Sequence, residues 1–197
     1  MTKTRITIPR DTRDKVTVEF NHRCAICGVD KPHLHHIDEN PSNNDVMNLI
    51  PLCPNCHLVD QHNPTRSIEP RKLSLFREHK DPTILKPQFH PLYKRMLFLD
   101  SITDDTDASI LAAQSNDLID FVAVLEMGAF YSKKIGEMIK MPNRASVSWI
   151  GGPSDPNEEF QEQQRSLQHA QEYRDQLRQA QKQVYALAIE LLRFQKW

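Results

Sequence analysis

Cys24-Ala-Ile-Cys27, then Leu34-His35-His36-Ile37, then Asn48-Leu-Ile-Pro-Leu-Cys53-Pro-Asn-Cys56-His57, is the stretch that decides the reading of this chain. Within 34 residues it uses all four cysteines of the protein and sets His35, His36, His57 and Asn48 among them. Two Cys-x-x-Cys knuckles can close one tetrahedral site, so Cys24, Cys27, Cys53 and Cys56 are read as four thiolate ligands of a structural Zn²⁺. Four cysteines buried as small hydrophobes would have no need of paired knuckles. The 25 residues between the knuckles exceed the ~15–20 of a zinc ribbon, so a hairpin and a loop must fit inside the gap.

Working outward, Pro9 is suited to the first turn of a helix over residues 9–20, with Val16 and Phe20 at i, i+4 spacing and Asn21 as its stop. Gly28 turns the chain after the first knuckle. Residues 32–38 read as a short strand and 48–52 as the strand returning beside it. The turn formers Glu-Asn-Pro-Ser-Asn-Asn-Asp at 39–45 make the loop between them. Pro54 then opens a helix over 54–62. Residues 63–100 are spaced by prolines at 64, 70, 82, 87 and 91, and one short helix over 71–79 is expected to pack on the hairpin.

From residue 101 the texture changes. Ile110, Leu118, Phe121, Val122 and Leu125 have helical spacing within 107–141, with a break expected near Gly128. Residues 142–157 hold three prolines and two glycines and read as a linker. The last segment, 158–194, is one long helix. In it Ala170, Tyr173, Leu177, Ala180, Val184, Leu187, Leu191 and Phe194 alternate steps of three and four. Tyr185, Ile189 and Leu192 widen this stripe, so a helix buried in a bundle and a coiled coil with another chain both fit it.

Composition divides the same way. The formal net charge is −1, with 15 basic against 12 acidic residues in 1–100 and 10 against 14 in 101–197. Eight of the nine histidines lie in the first half. No run approaches the ~18 apolar residues of a membrane span, and the first residues have no signal-peptide core. A reducing, cytoplasmic setting is expected, with no membrane partner. The fold class is α+β. A small zinc-stapled domain over 1–100 is followed by an all-α region over 101–197, ending in the long helix and serving oligomerisation or partner docking.

Histidine is a good metal ligand, and an unligated imidazole titrates near neutral pH, as a general base must. His35 and His36 lie on a strand, where neighbours point to opposite faces. His57 opens the helix after the second knuckle, and a hairpin crossed by a helix brings the two elements within a metal's reach. A solvated histidine cluster is the alternative.

The run from Arg23 to His62 resembles the HNH endonuclease family, in its ββα-metal fold and four-cysteine zinc form. Cys-x-x-Cys, His35-His36-Ile37, Asn48-Leu49 and Leu52-Cys53-x-x-Cys56-His57 occur in family order. The resemblance covers residues 5–85. It implies that His35 binds a catalytic metal, that His36 is the general base, that Asn48 orients the base and the hairpin, and that His57 is a second ligand. Many relatives have Asp where His35 stands. Some add a histidine four residues beyond the last, where this chain has Gln61, with His62 one residue later. Asp60 and His62 are candidates for a third ligand. An imidazole shell favours Mn²⁺, Ni²⁺ or Zn²⁺ in intrinsic affinity, while Mg²⁺ is the abundant cation.

The resemblance thus implies metal-dependent hydrolysis of DNA phosphodiester bonds, leaving 5′-phosphate and 3′-hydroxyl ends. Arg5, Arg10, Arg13, Lys15 and Arg23 offer one basic flank, and Arg66, Arg71, Lys72 and Arg77 another, for contacts that give affinity without sequence choice. No sequence-reading module is evident. An effector nuclease of a restriction or anti-phage defence system, gated by self-association or a protein partner through 101–197, fits this pattern. The alternatives are a non-catalytic zinc-hairpin module that binds nucleic acid or protein, and an RNA-directed nuclease.

Overall fold

The computed structural model describes residues 6–142 and 156–196, and the expected linker falls mostly outside them. The fold is α+β, largely helical, with one two-stranded sheet and a long C-terminal helix. No described helix is long and apolar enough to cross a membrane. The chain forms two compact units, Met1–Lys86 and Pro87–Trp197. The division falls before residue 100 because residues 90–100 pack on the helices that follow them in the chain.

In the first unit, helix α1 (Arg10–Glu19) follows Pro9, whose carbonyl accepts from the Arg13 N–H at 3.0 Å. Asn21 and His22, both left-handed at φ 52° and 56°, end it. The His22 N–H closes back on the Thr17 carbonyl at 2.7 Å, satisfying an otherwise orphaned helix-end acceptor. Strands β1 (His33–His36) and β2 (Leu49–Leu52) pair antiparallel, with His35 opposite Ile50 and His36 opposite Leu49. A 3₁₀ turn, Val46–Asn48, capped by the Asp45 carboxylate on the Met47 N–H at 2.7 Å, leads into β2.

All four residues of β2 are buried, whereas β1 buries only His35. Strand β2 is therefore covered on both faces, while β1 lies nearer the surface. Helix α1 packs on β2, and helix α2 (Pro70–His79) packs on the 3₁₀ turn that leads into it, with Leu73, Leu75 and Phe76 buried. Its Arg77 is 1% exposed and donates through Nε to the Leu49 carbonyl at 3.0 Å and through Nη1 to Glu19 at 2.8 Å. One guanidinium thus joins α1, α2 and β2. This removes Arg77 from the basic flank read in the sequence. A charge spaced like its exposed neighbours is instead consumed by a paired, hydrogen-bonded interior site.

The second unit opens with a 3₁₀ turn, Pro87–Phe89, and helix α3 (His90–Met96). This helix lies in the proline-spaced stretch where only the helix over 71–79 was expected, and it carries Pro91 near its start. In the first turn, however, proline gives up only an N–H that has no helical partner. A further 3₁₀ turn (Leu97–Asp100) precedes α4 (Ala108–Ala123), which is capped by Asp107 on the Ser109 N–H at 2.7 Å. Helix α5 (Gly128–Ile139) follows the expected break, and α6 (Pro156–Leu192) is the long helix.

Tyr173, Leu177, Val184, Tyr185, Ala188, Ile189, Leu191 and Leu192 of α6 are buried, and the helix packs on α5 and α4. The Tyr173 hydroxyl donates to the Ile139 carbonyl at 2.8 Å and lies 2.9 Å from Ser115 Oγ, tying all three helices at one point. From Tyr173 to Leu191 the seam faces a bundle core, with Leu187 half-buried, whereas Phe194 beyond the helix is exposed. Residues 159–168 are exposed throughout, Phe160 and Leu167 among them.

Candidate metal centres on the hairpin

The first knuckle is a tight turn. The Gly28 N–H bonds the Cys24 carbonyl at 2.9 Å and the Cys24 N–H bonds the Val29 carbonyl at 2.8 Å. Gly28 adopts φ +73°, which a side chain would strain. An Ala25 N–H bond to the Pro51 carbonyl, 2.8 Å, then fastens the knuckle to β2 just before the second pair. The result is that Cys24, Cys27, Cys53 and Cys56 bring their Sγ atoms within 4.8 Å of one another. Cys27 and Cys53 are 3.5 Å apart.

Tetrahedral zinc with Zn–S near 2.3 Å needs sulfurs about 3.8 Å apart. This group can therefore hold a metal ion such as zinc. The Cys56 N–H on the Cys53 sulfur holds that thiol down to about 7, whereas burial pushes the Cys56 thiol up. Cys53 would give its proton up to a metal more readily than Cys56, whose burial opposes the thiolate form.

Beside the thiol group stand three imidazoles. The rings of His35 and His57 are 5.1 Å apart between centroids, those of His57 and His62 4.8 Å, and those of His35 and His62 6.2 Å. His35 is 5% exposed, and its Nε2 is buried with no hydrogen-bond partner among the described residues. Burial, followed by the neighbouring histidines, pushes its proton affinity down to about 4, so it stands neutral at physiological pH with a lone pair to offer. His57 is also shifted down, chiefly by burial and then by His62.

His62 enters this group because residues Asn55–Gln61 wind as a π-helix rather than the α-helix expected. The His62 N–H bonds the His57 carbonyl at 3.3 Å, an i, i+5 closure that sets the two rings together. Gln61 instead turns inward, its amide making two bonds to the Ile68 backbone at 2.9 and 3.2 Å. Asp60 lies outside the cluster, 3.7 Å from Arg66 and 45% exposed. Of the two candidates for a third ligand, the fold brings only His62 to His35 and His57.

On the other side of β1, His36 is half-buried and bonds through Nε2 to Asn44 Oδ1 at 3.1 Å. Asn48 does not touch this ring through its amide. Its Oδ1 accepts from the Asp38 N–H at 3.0 Å, and its Nδ2 donates to Asp38 Oδ1 and the Asn43 carbonyl, both at 2.9 Å. Asn48 therefore holds the 38–48 loop in shape. Asn44, which sequence reasoning left among the turn formers, holds the histidine. Of the basic flanks, Arg10 lies near Asp14 and Arg23 near Asp30, both at the surface, and Arg5 lies outside the described residues.

No family model, curated protein or solved structure matches this chain.

Proposed function

We propose that the chain is a metal-dependent endonuclease of the HNH type that hydrolyses DNA phosphodiester bonds, with His36 as its general base. The observation that carries the reading is the convergence of His35, His57 and His62 on a hairpin whose next residue, His36, is held separately by an asparagine. A solvated histidine cluster would not bury His35 with its Nε2 unpartnered.

Three imidazoles close together, one with a buried nitrogen lacking a partner among the described residues, are the chemistry that would suit a second cation. His35, His57 and His62 would hold it, and it would neutralise charge on the phosphate and on the departing 3′ oxygen. The remaining work falls to the chain. His36 takes a proton from the attacking water, a contribution of about 10²–10⁴ in rate. Asn48 and Asp38 keep the loop that carries Asn44 from moving, and the thiol group fixes both ends of the hairpin. Since His35 stands where relatives carry an aspartate, the site has one negative charge fewer. Mn²⁺ or Ni²⁺ should therefore support cutting better here than Mg²⁺ at equal concentration.

The test is cleavage of supercoiled plasmid by zinc-loaded protein with Mg²⁺, Mn²⁺ or Ni²⁺ added, beside His36→Ala. Metal-dependent cutting that disappears in the variant supports the reading. Folded, zinc-loaded protein that cuts with none of these metals would overturn it in favour of a binding module.

A further inference from the structure

We propose that Asn44 is the positioning residue for His36, fixing the imidazole in the form that carries its proton on Nε2 and leaves Nδ1 free to accept one. The inference rests on the nuclease reading only for its catalytic consequence.

The argument runs through the two ends of one amide. Asn44 Nδ2 lies 3.4 Å from the Thr7 carbonyl, just ahead of α1. A carbonyl oxygen only accepts, so the amide must turn its NH₂ to Thr7 and its oxygen to His36. That oxygen, Oδ1, is an acceptor 3.1 Å from His36 Nε2, and the ring nitrogen facing it must therefore be the N–H. In a neutral imidazole the other nitrogen then has the lone pair, so Nδ1 is the atom that can take a proton from water.

Asn48 cannot do this work, because its amide is committed to Asp38 and Asn43. The labour is divided: Asn48 builds the loop, and Asn44, four residues before it, orients the ring. The segment before α1 thereby gains a role, since its carbonyl decides which way the Asn44 amide faces.

The experiment is long-range ¹H–¹⁵N NMR on the full-length, zinc-loaded chain at pH ~8, where an ordinary imidazole is neutral. His36 is assigned by the signals missing in His36→Ala. The wild-type ring should show a protonated Nε2 and an unprotonated Nδ1. Asn44→Ala should move both nitrogens toward the averaged values of exchanging tautomers, and Asn44→Asp, which keeps an acceptor oxygen, should restore the Nε2–H form. A proton on Nδ1 in the wild type would overturn the proposal without need of any variant, as would a tautomer unchanged in Asn44→Ala. In the plasmid assay, Asn44→Ala should lower kcat about 10-fold or more with KM for DNA unchanged. A wild type that is silent on DNA but locked as Nε2–H would overturn the nuclease reading and leave the Asn44 assignment standing.

Discussion

His57 and His62 are five residues apart, yet their rings stand 4.8 Å apart between centroids, tilted by 55°. On an α-helix five residues are separated by about 140° around the axis, and the two side chains would diverge. The π winding of Asn55–Gln61 removes that divergence, and in doing so selects His62 over Asp60 as the neighbour of His35. A π turn is rare and is frequently found at functional sites.

The first prediction follows from this pairing. His62→Ala should weaken binding of Mn²⁺ or Ni²⁺ to zinc-loaded protein by about 100-fold or more, judged against the 10–100-fold typical of losing an outer partner. Asp60→Ala should leave the affinity unchanged, since that carboxylate faces Arg66. Isothermal titration of both variants checks this. Equal losses would return Asp60 to the metal shell.

The thiol group should act as a folding element of the first unit. Cys53→Ser, or removal of metal by a strong chelator, should abolish cooperative unfolding of residues 1–86, because the described residues of that unit form a two-stranded sheet and five short helical stretches, none longer than 10 residues. The helical signal of 87–197 should survive. Circular dichroism with metal analysis reads both, and a chelated protein with unchanged unfolding would remove the structural role.

The Arg77–Glu19 pair makes a prediction in acid. The hydrogen bond from Arg77, aided by Lys80, holds the Glu19 carboxyl down to about 2. Its folded value lies below the ordinary carboxylate value of about 4.3, so its stabilisation is complete above that pH and is lost as pH falls toward 2. Thiolate ligands also protonate in acid, so the informative quantity is the difference between wild type and Glu19→Gln. That difference should shrink as the pH drops through this window in denaturant titrations. Arg77→Met, which leaves Glu19 facing no guanidinium, should cost about 3–5 kcal/mol at neutral pH.

Tyr173 gives the corresponding test in the helical unit. Tyr173→Phe leaves the buried Ile139 carbonyl without its donor and Ser115 without its partner, and should destabilise the unit by about 1–3 kcal/mol. Thermal unfolding of the full chain checks it, and the first unit's zinc content should not change.

A fifth prediction concerns regulation. If the helical unit gates the nuclease, a chain ending at Lys86, the boundary between the compact units, should bind zinc but differ from the full chain in plasmid cutting and in oligomeric state. Sedimentation and cleavage measured side by side decide it. Identical behaviour in both would end the gating idea.

Much of this was legible from residue spacing. The paired knuckles, the hairpin between them, the helix over 71–79, the break near Gly128 and the long last helix each depend on contacts within a few residues, or on a periodicity that repeats along one element. Such features are local, and a linear sequence records them directly. Four decisions were not local. Whether position 61 or 62 meets His57 depends on how a seven-residue helix winds, and the observed winding goes together with Gln61 bonding the Ile68 backbone. Whether Asn44 or Asn48 holds His36 depends on how a loop closes across β1 and against Thr7, 37 residues away in sequence. Whether Arg77 meets solvent or Glu19, and whether the last helix spends its seam inside or outside the unit, depend on which surfaces the other helices cover. Sequence fixes which groups are available within one turn or one strand. Their partners across the chain are chosen by the packing that buries them, because a buried polar group must find its hydrogen bond wherever the fold provides one.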